Sequence, residues 1–501
     1  MYPPEIWLQI AYHIPPRLLV DLYAVNRQWF DIAMNARYRQ ISFAFLNRAM
    51  LRELTRLRDP AVARRVRTLH LHPYFVKEMM EKAAHEPPRF PHSRHGKFKL
   101  RGLFRDHGHH KRSPRTSALL ELDNPADLVR SMIQVISGLP NVDHIHIAWS
   151  GLDAIQDLPV PFLAAAFRPS VLQLSLEISL EKTIDLLSHT SALTGLEELD
   201  LFLRLDHRLS PVEYEYILVD HLAPAVNRLH PSLQKLSIRL CEPLDISPLF
   251  DCLRYMPCLD SLSISIPTAA PHLGDPAGFG HFLDRHRHTL SHLELRASEL
   301  SGAGLTPTTT ETESLSAWFT HALSFLTGPI KLRTLEASLA LLPVSALVSC
   351  LAHLARTLTS LTLTGRHLRY SWIDELLHAV PGAGARLHSL RLGPVTLSPE
   401  LIDLLAARLP ALHSLALLVH DVVPCERDLP LYNHDNDGPG AAEQDEDEQI
   451  DAFFGEMGGR RYGEWGLQVM TLERSGFPYR MQYAEEYKAL FAGCIPSVVR
   501  T

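Results

Sequence analysis

No uninterrupted apolar run in this 501-residue chain reaches the roughly 18 residues a membrane-spanning helix needs. The opening Met1-Tyr-Pro-Pro-Glu-Ile-Trp7 has no basic start and no long apolar stretch, so no secretory signal is expected. Cysteine is scarce. The six residues Cys241, Cys252, Cys258, Cys350, Cys425 and Cys494 are scattered and have no metal spacing. That usage suits a reducing compartment, cytoplasmic or nuclear. Cys252 and Cys258, in a helix-to-strand passage, are expected to be buried reduced thiols. A nucleophile elbow, a phosphate loop, a dinucleotide fingerprint, zincin spacing and kinase signatures are all missing. Gly302-Ala-Gly304 is glycine-rich, but it runs into the threonines of 306–312 with no Lys-Ser/Thr after it. No catalytic residue, no cofactor and no metal is expected, and the chain does not read as an enzyme. A net charge of −7 argues against a dedicated nucleic-acid binder.

What the chain has in abundance is one phrase. Leu196-Glu-Glu-Leu199-Asp-Leu201 returns as Leu233-Gln-Lys-Leu236-Ser-Ile238 and as Leu290-Ser-His-Leu293-Glu-Leu295. Copies start at Val66, Val142, Val171, Leu196, Leu233, Leu259, Leu290, Leu332, Leu358, Leu387 and Leu412, with a weaker one at Leu467. From Val142 to Leu412 the steps are 29, 25, 37, 26, 31, 42, 26, 29 and 25 residues. Alternation within the phrase makes it a short strand with one buried face. One such strand cannot bury its own apolar side, but a stack of them can. Helical patterns lie between copies. Ser398-Pro-Glu400 supplies a cap, a first-turn proline and an acid. Leu401, Leu404, Leu405 and Leu409 follow at helical spacing until Pro410, and Leu347, Leu351 and Leu354 repeat the pattern. The phrase and its period resemble leucine-rich repeats. The resemblance implies an α/β solenoid, a horseshoe, with the long steps carrying insertions.

Residues 2–45 differ from the rest. Tyr2-Pro-Pro-Glu-Ile6 leads a helix carrying Ile6 and Ile10, and Pro15-Pro16 after Ile14 ends it and starts the next. Leu18, Leu19, Leu22, Val25 and Trp29 continue at helical spacing. The unit is too small to hold a rich core by itself. Its P-P-E-I opening, the I-P-P followed by L-L, and the closing V-N-R-x-W-F resemble an F-box; Tyr2 stands where the family usually has leucine. F-box proteins with leucine-rich repeats are, as a class, substrate receptors of cullin-RING ubiquitin ligases. The resemblance implies that this all-α module docks on the Skp adaptor. The residues it assigns to that contact are Pro3, Pro4, Glu5, Ile6, Ile10, Ile14, Pro15, Leu18, Leu19, Leu22, Val25, Arg27 and Trp29. Ubiquitin transfer would fall to other subunits.

The domain reading is a module over 1–45 and a solenoid over 46–423. An acidic disordered linker over 424–459 and a strand-plus-helix cap over 460–501 complete it. Arg37 to Leu57 reads as one further helix. Between Arg89 and Arg115 there are nine Lys/Arg, one acid and five histidines, which reads as a basic disordered insertion within about 85–118. His107, His109 and His110 have no cysteine or second cluster beside them for a metal. The acidic stretch holds eight acids between Asp435 and Asp451, and its brief likeness to a calcium loop fails at Gln444. A strand is expected over Trp465–Leu472 and a helix over Tyr483–Phe491.

In the repeat family, residues between the apolar ones of the phrase face the concave side, where a substrate protein would bind. Here that selects His70, His144, His146, Glu198, Asp200, Phe202, Lys235, Arg239, His292, Glu294, Arg296, Glu336 and Arg391, among Thr68, His72 and several Ser and Thr. The mixed charge suits recognition of a protein surface. Two other readings stand beside the ligase receptor. One is a repeat scaffold with no ubiquitin role, its N-terminal module only a cap. The other is a nucleic-acid-associated protein using the basic arm of 89–115.

Overall fold

The computed structural model describes residues 3–76, 125–149, 159–205, 209–242, 244–267, 274–298, 309–326, 330–354, 356–379, 386–425, 442–474 and 484–498. The basic insertion and the acidic residues 426–441 lie outside the described residues. The chain divides into two compact units, Met1–Leu236 and Ser237–Thr501.

The first unit opens with helices α1 (Pro4–Tyr12), α2 (Pro16–Leu19) and α3 (Arg27–Tyr38), with a 3-10 turn, Val20–Ala24, between the last two. Pro4 occupies the first turn of α1, where a missing N–H costs nothing. Asn26 caps α3, its side-chain oxygen accepting from the Trp29 N–H at 2.9 Å. Strands follow at β1 (Gln40–Phe43), β2 (Thr68–Leu71), β3 (His144–Trp149), β4 (Gln173–Ser179) and β5 (Glu198–Arg204). They pair side by side, parallel and in chain order. β6 (Lys235–Leu240) starts as the unit ends.

The expected helix across Arg37–Leu57 is not there. α3 stops at Tyr38, β1 intervenes, and a new helix α4 runs from Arg48 to Arg56. Tyr38, Ile41 and Phe43 are buried, so Tyr38-Arg-Gln-Ile41-Ser-Phe43 is a further copy of the phrase with aromatic residues in two leucine places. It lies 28 residues before Val66, one ordinary step.

The second unit repeats the plan. β7 (Ser261–Pro267), β8 (His292–Ser298), β9 (Thr334–Ser338), β10 (Ser360–Thr364), β11 (Ser389–Leu397), β12 (Ser414–Val422) and β13 (Val469–Arg474) are parallel and in chain order. Every strand of both units begins two residues after the start of its phrase. The second residue of the phrase sets the register. The carbonyl oxygen of Leu172 accepts from the N–H groups of Glu197 and Glu198, and that of His388 accepts from His413 and Ser414. Each repeat therefore reads its neighbour's backbone, and a parallel ladder grows without any choice of partner.

The helices cover the buried side. Ser398 caps the helix Pro399–Arg408, accepting from the Leu401 N–H at 3.2 Å, as its sequence foretold. Arginines one repeat later close helix ends: Arg168 donates to the carbonyls of Leu139 and Ile136, and Arg228 reaches the Leu187 carbonyl at 3.1 Å. Phe250, Phe279, Phe282, Trp318 and Phe319 form an aromatic cluster in the second unit, with Phe250 and Phe279 centroids 4.7 Å apart. The fold is an α/β leucine-rich-repeat stack behind a small helical module.

Three further expectations are corrected. The acidic linker over 424–459 ends early, because residues 442–458 form a helix. Ile450, Phe453 and Met457, three and four residues apart, give it a buried stripe. Cys252 and Cys258 are exposed, since Leu249, Phe250, Leu253 and Met256 take the inward positions around them. The last strand and helix lie slightly later than expected, at Val469–Arg474 and Ala484–Cys494. Trp465 precedes that strand and donates its indole N–H to the Leu409 carbonyl at 3.0 Å.

Candidate protein-interaction surfaces

The first surface is the helical module. Its core is three buried side chains, Ala11, Leu19 and Trp29, with Trp7, Ile14, Leu22 and Ile32 partly buried against them. Trp7 meets Trp29 edge-on at 5.5 Å. In α1 the inward stripe is Trp7 and Ala11. Ile6 and Ile10 lie on one side of it, 40% and 43% exposed, and Leu8 and Tyr12 on the other, 58% and 87% exposed. Leu18, Tyr23, Val25 and Phe30 add further exposed apolar area from α2, the 3-10 turn and α3. A helix apolar on nearly all sides is normally buried on all sides.

The thirteen residues assigned to the adaptor contact therefore separate. Ile6, Ile10, Leu18 and Val25 are exposed apolar side chains, and Pro3, Glu5, Pro15 and Arg27 are exposed beside them. Leu19 and Trp29 are core, and Ile14 and Leu22 lean on that core. Pro4 opens α1. Sequence reading missed Leu8, Tyr12, Tyr23 and Phe30. The signal was present in α1, where spacings of four run 6–10, 7–11 and 8–12, three apolar stripes where a core needs one.

The second surface is the strand face opposite the helices. In the first unit, Thr68, His144, Gln173 and Glu198 share one row across β2 to β5, and His70, His146, Ser175 and Asp200 share the next. Gln173 donates to Glu198 at 2.8 Å, and Lys235 stands 3.9 Å from Glu198. Arg204 pairs with Glu177 at 2.9 Å and lies over the Phe202 ring at 5.5 Å. Ser175 Oγ donates to Asp200 at 3.2 Å and stands 3.1 Å from His146 Nδ1. Gln40 Nε2 lies 2.8 Å from His70 Nε2. The rings of His70 and His72 are 5.3 and 5.8 Å from that of His146. Burial lowers the pKa of His70 and His146, and neighbouring imidazoles lower both further; Glu177 and Asp200 pull His146 the other way.

In the second unit, Ser261, His292, Thr334, Ser360 and Ser389 share a row, as do Ser263, Glu294, Glu336, Thr362 and Arg391. Arg296 bridges Glu294 and Glu336, reaching the latter at 2.8 Å. Arg391 pairs with Glu473 two strands away at 2.7 Å, across the small Ala416 of β12. Arg239 lies exposed on β6. Ser263 and Ser265 are buried between their neighbours and offer little to a partner. These ion pairs are half-exposed, each of order 0–1 kcal/mol. They present a pattern of fixed charge more than they add stability.

Among the described residues no helix is long and apolar enough to cross a membrane. No family model matches the chain, and no curated protein matches it in sequence. Several solved structures are similar in fold. One is the leucine-rich repeat-containing protein LegL7 from Legionella pneumophila, at 14% identity, a TM-score of 0.35, and 73% of this chain against 96% of that one. Another is the Rad7 and Elc1 complex in yeast, at 12% identity, a TM-score of 0.33, and 84% against 90%. Scores at this level carry no argument about partners; the repeat fold stands on the phrase, the parallel ladder and the helices that cover it.

Proposed function

We propose that this protein is the substrate-recognition adaptor of an SCF-type ubiquitin ligase, its N-terminal module binding the Skp adaptor and its strand face holding a substrate protein. The observation that carries this reading is the apolar surface of the module. Eight apolar or aromatic side chains stand 40–87% exposed around a core of three. Their removal from water by a partner helix or groove is worth about 25 cal/mol per Å² of apolar area before the costs of association. The order of the F-box-like elements supports the identity of that partner. The reading of the module as a mere cap is disfavoured by the same surface, because a terminal cap presents a polar outer face. The module is already anchored: Arg65 in the first repeat pairs with Asp31 of α3 at 2.7 Å and donates to Asn35 at 2.6 Å.

The strand face supports the second half of the reading through its fixed, alternating charge, which sets register and partner choice. Ubiquitin chemistry would belong to the other subunits, in the cytoplasm or nucleus. The test is titration of purified Skp adaptor into the full-length chain and into a Leu18→Glu/Val25→Glu variant. Both positions are exposed, so the variant is expected to fold and to lose binding. Binding retained in that variant, or absent from the folded wild type, overturns the proposal.

A further inference from the structure

Three imidazoles meet on the strand face of the first unit. His70 and His72 point to the same side of the β2 chain path because they are two residues apart. His146 is the register partner of His70 on β3. One ring nitrogen from each of the three lies within 4.8 Å of the others, and all three side chains are half-buried. A tetrahedral zinc ion with Zn–N bonds near 2.0–2.1 Å places its nitrogens about 3.3 Å apart. The difference is within the reach of imidazole χ2 rotation, which is broad and soft.

The surroundings hold one of these rings ready. Ser175 Oγ spends its proton on Asp200, so toward His146 it can only accept, and His146 must carry its proton on Nδ1. Nε2 of His146 is then the unprotonated nitrogen. A carboxylate reaching a histidine through an orienting hydrogen bond is the usual outer shell of a metal-bound imidazole. At His70 the contact with Gln40 is made through Nε2. There the Gln40 amide N–H donates to Nε2, so the ring proton sits on Nδ1, and an ion at this ring would take Nε2 in place of that bond. Asp200, held by Ser175 beside His146, places a carboxylate next to the site.

We infer that His70, His72 and His146 form a binding site for a divalent first-row transition ion of the zinc class, with a fourth position open to water or to a side chain of a bound partner. Three imidazole nitrogen donors and no thiolate suit zinc, copper(II) or nickel(II) better than calcium or magnesium. The ion would sit on the face that the proposed substrate uses, yet its binding does not depend on that proposal. A bound partner contributing one histidine, cysteine or carboxylate would complete the shell.

The test is calorimetric titration of Zn2+ into full-length protein carrying no histidine tag, with a parallel Co2+ titration followed by visible absorption. Wild type is expected to take up one equivalent and to give the d–d bands of a low-coordinate Co2+ site. His72→Ala, at a half-exposed position just past the end of β2, and His146→Ala are each expected to weaken binding by more than about 100-fold. Ser175→Ala removes the bond that orients His146 together with its link to Asp200 and is expected to cost about tenfold, the low end of such effects. A His107→Ala/His109→Ala/His110→Ala variant is expected to bind as wild type does. Circular dichroism checks that each variant is folded. No Zn2+ uptake by folded wild type overturns the inference. So does undiminished uptake by His72→Ala, or a loss that follows the His107 group instead.

Discussion

Leu18 and Leu19 are neighbours in α2, yet one is 55% exposed and the other 7%. In β5, Leu199, Leu201 and Leu203 are all at 2% or less, and each has its counterpart in β4. The two regions use leucine differently because they have different supplies of neighbours. A repeat strand is flanked by copies of itself and roofed by helices, so its apolar side has somewhere to go. The N-terminal module has three short helices and one repeat edge, so about half its apolar side chains remain outside. In the repeats apolar residues are architecture; in the module they are divided between architecture and exposed surface.

Substitutions separate the two uses. Phe250→Ala, in the aromatic cluster of the second unit, is expected to cost about 3–5 kcal/mol in urea unfolding, because a ring-sized cavity opens among Phe279 and Phe282. A cost below about 1 kcal/mol would mean the repeat core is loosely packed. Asn26→Ala removes the cap of α3 and is expected to cost about 1 kcal/mol, read as increased amide exchange in residues 27–38. A smaller effect comes from His286. It is buried, donates from Nδ1 to the Phe282 carbonyl at 2.7 Å, and accepts the Met256 N–H on Nε2 at 2.9 Å.

Burial holds the His286 pKa below 6.5, helped by Arg285 and opposed by the Phe282 bond. The unfolded chain takes up a proton near pH 6.5 that the folded chain refuses, so the stabilising effect is full above that value and is lost as pH falls below it. His286→Gln is expected to flatten the fall of Tm between pH 7 and pH 5; an unchanged slope would show that other groups govern it. The smallest effect belongs to the exposed leucine. Leu18→Ala is expected to change stability by less than about 0.5 kcal/mol, and a larger loss would place Leu18 in the core and weaken the contrast.

Cysteine chemistry sharpens the same distinction. Cys350 is buried on the helix Val344–Leu354, and burial pushes its thiol up to about 12. It is expected to react with a thiol reagent only on unfolding, whereas Cys252 and Cys258 are exposed and are expected to react in the native protein. Mass-resolved labelling distinguishes the three.

Much of the repeat architecture was legible because the phrase carries its own register: each strand starts two residues after the first apolar position, including the weak copy at Leu467. β1 escaped because Tyr38 and Phe43 stand in leucine places, although the alternation and the 28-residue step were there. The helix 442–458 was not legible because a run of acids outweighs its short apolar stripe, Ile450, Phe453 and Met457. In the module, helical spacing named the apolar residues but could not sort Leu18 from Leu19, since that depends on which side meets Trp29. The histidine group needed two facts at once, the H-x-H pairs at 70–72 and 144–146 and the register that lays one against the other. Composition shows the first and only strand pairing shows the second.

If the Skp adaptor binds as proposed, it covers the exposed apolar surface of residues 4–30. Hydrogen–deuterium exchange of the full-length chain, with and without saturating adaptor, tests it most directly. New protection is expected to be confined to α1, α2 and the start of α3, with the strands unchanged. Unchanged exchange in those helices, or protection appearing on the strand face instead, would contradict it.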